Sequence, residues 1–123
     1  MGSMWPHRTL IDRGIPAPGH SDAWVCSPNP FTAMWAMVNR KTDTGASLDD
    51  SQKVTFAEAL RAYTYLGAWS GREEHLKGSL EPGKLADIAI LDRDVTDMSD
   101  EEIRDVRVDT TIVGGEVRYQ RKE

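Results

Sequence analysis

Gly78-Ser79-Leu80-Glu81-Pro82-Gly83-Lys84-Leu85-Ala86-Asp87-Ile88-Ala89-Ile90-Leu91-Asp92 is the stretch whose reading decides the fold class. Gly78, Pro82 and Gly83 are turn formers, so the backbone reverses before Asp87. Lys84 and Asp87 stand at that corner and help to fix it. The apolar run Ile88-Ala89-Ile90-Leu91, closed at both ends by aspartate, then reads as a strand. Downstream, Thr110-Thr111-Ile112-Val113 is again β-branched and apolar, and Gly114-Gly115 is a hairpin signal leading into Val117 and Tyr119. Between these strands, Ser99 and Glu102 have capping-box spacing for a helix of one or two turns ending near Asp105.

Upstream the rhythm is helical. Asn29 offers a side-chain cap and Pro30 a suitable first helical residue for a helix whose Phe31, Met34, Trp35 and Val38 fall at i, i+3, i+4 and i+7. After the polar stretch from Thr42 to Ser51, Thr55 and Glu58 form a second capping box. The helix it starts puts Phe56, Leu60, Tyr63 and Gly67 on one side and ends at Gly71. Pro6, Pro16, Pro18, Pro28 and Pro30 crowd the beginning of the chain, so residues 5–29 read as a loop-rich entry with at most a short strand around Ile15. The expected class is α+β: two main helices and a small antiparallel sheet with a C-terminal hairpin. All of residues 1–123 form a single domain, with a helical part over 30–77 and the strands over 78–123.

The chain has 123 residues, and a complete eight-stranded α/β barrel needs about 250. A complete α/β barrel is therefore excluded. A formal charge of -5 argues against nucleic acid or an anionic membrane as partner, because the basic residues are scattered rather than striped. One cysteine, Cys26, forbids an internal disulfide and suits a reducing compartment, and no apolar run approaches the roughly 20 residues that span a bilayer. The expected location is cytoplasmic.

The Gly78 to Asp92 stretch resembles the signature of the metal-dependent amidohydrolase family, of the imidazolonepropionase and N-substituted formamide deformylase kind. The resemblance extends to Phe56-Ala57-Glu58-Ala59-Leu60-Arg61-Ala62-Tyr63-Thr64, to Ser21-Asp22, and from Val106 to Tyr119. It covers nearly the whole chain, yet matches only the C-terminal end of proteins several hundred residues long. Residues 5–29 resemble the region of the last barrel strand, and the closing strands those of a small β-sandwich. The resemblance implies metal-assisted hydrolysis of a non-peptide carbon–nitrogen bond in a full-length relative. It places Asp22, in Gly19-His20-Ser21-Asp22, at the position that ligates the metal and serves as general base.

His20 is the second candidate ligand, although it stands where the family more often has a small residue. The family's His-x-His pair, bridging lysine and two later histidines have no counterpart, and His7, His20 and His75 show no paired spacing. A catalytic zinc takes about three protein ligands and an open position. No cofactor is therefore expected in this chain, and a divalent metal such as zinc only in full-length relatives. The isolated chain reads as catalytically silent, completed by a separate barrel segment.

The alternative is an independent homodimeric module that binds a small molecule or a partner. Trp24, Trp35, Trp69, Met34, Met37, Tyr63 and Tyr65 are many large side chains for so small a protein. They serve as core, pocket lining or dimer interface in that reading. Cys26 has no base in a recognisable pattern beside it and takes no role. Neither a GxGxxG nor a Walker pattern is present, so the glycines do not form a phosphate loop.

Overall fold

The computed structural model describes residues 4–122, which form four α-helices, two 3-10 turns and an open three-stranded antiparallel sheet. In chain order these are α1 (His7–Asp12), α2 (Pro30–Asn39), a 3-10 turn (Asp50–Gln52), α3 (Phe56–Tyr63), α4 (Tyr65–Ser70), β1 (Ile88–Leu91), a second 3-10 turn (Asp100–Asp105), β2 (Val108–Val113) and β3 (Glu116–Gln120). The class is α+β, and no closed barrel forms among the described residues. Among the described residues, no helix is long and apolar enough to cross a membrane.

Helix α2 starts where its cap and proline require. The Asn29 side chain accepts the Phe31 N–H at 3.0 Å, and Pro30 occupies the first turn, where a missing N–H costs nothing. Its apolar face, Phe31, Met34, Trp35 and Val38, is buried together with Val54, Ala59, Ile103 and Val106. Burying each large side chain contributes about 1.5–3 kcal/mol. The helix stops at Arg40, which is left-handed at φ 54 and buried. Its guanidinium donates to the carbonyls of Asp49 at 3.1 Å and Met4 at 2.7 Å.

Helix α3 has both bonds of its capping box, as Thr55 and Glu58 predict. It does not run on to Gly71. Thr64, at φ -115 and ψ -89, breaks the helix, and its hydroxyl donates to the Leu60 carbonyl at 2.8 Å. Gly71 ends α4 instead, and Gly67 lies exposed rather than beside Phe56, Leu60 and Tyr63. The reason is tertiary. The returning chain brings Gly78 against α4, where an added Cβ would lie 2.7 Å from the Ala68 Cβ and 3.1 Å from the Tyr65 Cα.

The entry also departs from expectation. The chain around Ile15 is not a strand; a helix, α1, precedes it, and none of its residues is buried. Polar contacts from far along the chain hold α1: Arg8 donates to both Glu58 carboxylate oxygens at 2.8 and 2.9 Å, and Thr9 donates to Gln52 through its amide and its hydroxyl. No local pattern encodes such contacts.

The sheet has the order β1-β2-β3, with Ala89 opposite Thr111 and Thr111 opposite Tyr119. Gly114 and Gly115 supply the positive φ angles of 59 and 83 that a two-residue hairpin demands. Asp87 accepts the Gly114 N–H at 2.8 Å and Lys84 donates to the Ser79 hydroxyl at 2.6 Å, so both corner residues act as the sequence suggests. The Ser99 capping box forms, and Ile103 and Val106 seat its 3-10 turn on α2. Register shifts at Ile90/Leu91 and Thr111/Ile112, with Glu116 and Arg118 paired along β3, blunt the sheet edges.

Candidate functional site

The segment Gly19-His20-Ser21-Asp22 lies on the end of α3. The Gly19 amide donates to the Ala62 carbonyl at 3.1 Å, one of the last four carbonyls of α3. A Cβ at Gly19 would overlap the Tyr63 ring, with Cδ2 only 2.7 Å and Cζ 2.9 Å away. Glycine is thus required here by close approach and not by a turn.

Asp22 follows in a left-handed conformation, φ 49, which aspartate tolerates better than most residues. Its carbonyl accepts the Val25 N–H at 2.8 Å, and Ala23 bridges to Cys26, closing a tight loop. Asp22 and His20 are both exposed. Among the described residues, no ion pair or side-chain hydrogen bond engages the Asp22 carboxylate. Trp24, at the loop tip with φ 86, is 103% exposed.

Two groups beneath the loop have shifted acidities. Burial pushes the Tyr63 hydroxyl up, and the neighbouring Cys26 adds to it. Burial lowers the His7 imidazole, followed by the Arg40 charge and by His20, so His20 lies within electrostatic reach of His7. The His7 Nε2 is buried without a hydrogen-bond partner among the described residues. His75 stands apart on an exposed turn after α4.

A divalent metal needs more than this loop offers. No group of three or more His, Cys, Asp or Glu side chains gathers as a ligand set among the described residues. Asp22 and His20 are two exposed donors where about three converging ones are needed. The described residues therefore do not fit a complete metal centre.

Behind the loop an apolar cleft of about 520 Å³ separates the helices from the sheet, with Phe31, Met34, Leu60, Tyr63, Leu91 and Val108 among its walls. The aromatic residues divide between roles. Trp35 is core at 3% exposure, Tyr63 is partly buried between core and cleft, and Trp24 and Trp69 face solvent. The pairing of Gly19 with Tyr63 carried no sequence signal beyond a glycine in a polar segment. Buried Asn39, Arg40 and Gln52 likewise look like surface residues in one dimension.

Residues 3–119 match the amidohydrolase family. The chain is 37% identical over 118 residues to the N-substituted formamide deformylase of Arthrobacter pascens, covering 96% of this chain and 22% of that protein. It is 39% identical over 87 residues to the imidazolonepropionase of Micrococcus luteus, covering 71% of this chain and 20% of that one. The chain thus spans about a fifth of the length of these relatives. No solved structure matches it.

Proposed function

The chain belongs to the amidohydrolase family, and from that premise we propose that it forms the C-terminal segment of a hydrolase of non-peptide carbon–nitrogen bonds, to which it contributes Asp22. The observation that carries this reading is the presentation of Asp22. Its loop is fixed at Gly19 to the end of α3, while its carboxylate points to no partner among the described residues. A carboxylate held in place but unengaged is suited to take a proton from water attacking a carbonyl. Substrate choice resides in barrel loops that this segment does not supply.

Alone, the segment is catalytically silent. Asp22 and His20 do not complete a metal centre among the described residues. The remaining ligands belong to a barrel segment, which is the partner of this reading.

The test replaces the aligned fifth of the Arthrobacter pascens deformylase with this chain. The folded chimera should hydrolyse N-substituted formamides, and Asp22→Asn should lower the rate by about 100-fold or more. A chimera indifferent to Asp22→Asn would refute the assignment. Turnover by the isolated chain with added Zn²⁺ would refute its silence.

A second reading rests on exposed apolar surface. Trp24 is fully exposed, and Ile90 and Val117 in the sheet are 49% and 60% exposed. A homodimeric interaction module would cover them. Light scattering distinguishes the two, because a monomer at micromolar concentration excludes the dimer.

A further inference from the structure

We propose that Tyr63 is the positioning residue of the Asp22 loop, a post on which the first arm of residues 19–26 is seated at Gly19 and near which the second ends at Cys26. The functional half of this inference rests on Asp22 being the working acid; the geometric half does not.

The first arm is Gly19. Its amide is tied to Ala62, the residue before Tyr63, and its α-carbon lies so close to the Tyr63 ring that no side chain fits between them. The second arm ends at Cys26, which lies within electrostatic reach of Tyr63 and adds to burial in raising the pKa of its hydroxyl. Between the arms, Asp22 and Trp24 both have positive φ. For residues other than glycine, such a conformation is strained and persists only where the surroundings impose it. The Val25 to Asp22 hydrogen bond and the Ala23–Cys26 bridge are internal to the loop. They shape the turn without orienting it relative to the rest of the protein.

Orientation has to come from outside the loop, and Tyr63 offers it. The residue packs against the hydrophobic core, so its ring is fixed from behind. It is the last residue of α3, and the break at Thr64 takes the helix away from the space that Gly19 enters. The same side chain forms part of the wall of the apolar cleft. Tyr63 thus connects the core, the cleft and the Asp22 loop.

Amide hydrogen exchange on the purified chain tests this. In Tyr63→Phe, which keeps the ring, the Gly19 and Val25 amides should exchange within about two-fold of wild type. In Tyr63→Leu they should exchange about ten-fold faster or more, relative to the Ala59 amide inside α3. Uniform acceleration of all three amides would show a merely structural role and overturn the inference, as would no acceleration. Should Tyr63→Leu fail to fold, Gly19→Ala removes the close approach while leaving the core intact, and the same loop-selective acceleration is expected. In the deformylase chimera, Tyr63→Leu should lower kcat with little change in KM. Loop-selective exchange in a chimera indifferent to Asp22→Asn would refute the catalytic reading and support the geometric one, so the two failures are distinguishable.

Discussion

Replacing Trp35 by alanine tests whether the segment has a core of its own. Trp35 is 3% exposed among Phe31, Met34, Val38, Ile103 and Val106. Truncating a tryptophan so enclosed costs about 3–5 kcal/mol, lost transfer energy and the cavity together. Its indole N–H donates to Glu101 at 3.3 Å, but that carboxylate is half in water, so the bond adds less than about 1 kcal/mol. The Arg104 guanidinium, 4.8 Å above the ring, contributes about 0.5–1 kcal/mol on a similarly wet surface. About 4 kcal/mol is therefore expected in all. At about 0.05 kcal/mol per residue, a chain of 123 residues has about 6 kcal/mol to lose, so the variant remains folded by a small margin. Urea unfolding followed by far-UV circular dichroism should show the midpoint falling by about 2–3 M for a slope near 1.5 kcal/mol/M. Trp24→Ala is the control. Its side chain is fully exposed and should change stability by less than about 0.5 kcal/mol. If Trp35→Ala costs under about 1 kcal/mol, or Trp24→Ala costs as much as Trp35→Ala, the α2 face is not the core of this chain in solution.

Other outcomes follow from single contacts. Glu58 is held below the usual carboxylate range, first by the Thr55 backbone N–H and then by Arg8, so its contribution is complete above about pH 4.5 and is lost as pH falls through the depressed value. Urea midpoints at about pH 5 and about pH 3 should therefore converge in Glu58→Gln relative to wild type. Asn39→Ala should cost about 1–3 kcal/mol by the same assay, because it strips donors from the carbonyls of Trp35 at 3.2 Å and Asp100 at 2.9 Å. Two glycines should respond with opposite signs. Gly115→Ala, at φ 83 in the hairpin, should lower stability by about 1 kcal/mol or more, whereas Gly67→Ala in α4, with nothing within 4 Å of its added methyl, should raise it by about 0.5–1 kcal/mol. Equal responses would show that backbone conformation does not govern these sites.

The resemblance read in the sequence points to Asp22, the structure puts that residue on an exposed loop, and no group of three or more His, Cys, Asp or Glu side chains gathers as a ligand set among the described residues. A metal-binding constellation is assembled from residues distant in sequence. This chain spans about a fifth of its relatives' length.

Sequence alone determined the elements whose causes are local. The Asn29 cap, the Thr55–Glu58 and Ser99–Glu102 boxes and the Gly114-Gly115 turn each depend on hydrogen bonds or φ angles within about four residues. Tertiary structure decided what depends on distant partners: α1 held by Glu58 and Gln52, the helix break at Thr64 opposite Gly78, buried Arg40 reaching back to Met4, and Gly19 pressed on Tyr63. In each case a polar residue or a glycine owes its place to a group 14 to 50 residues away. Such a group leaves no trace in the periodicity around the residue it holds, because propensity and pattern record only the energies that neighbours in the chain exchange.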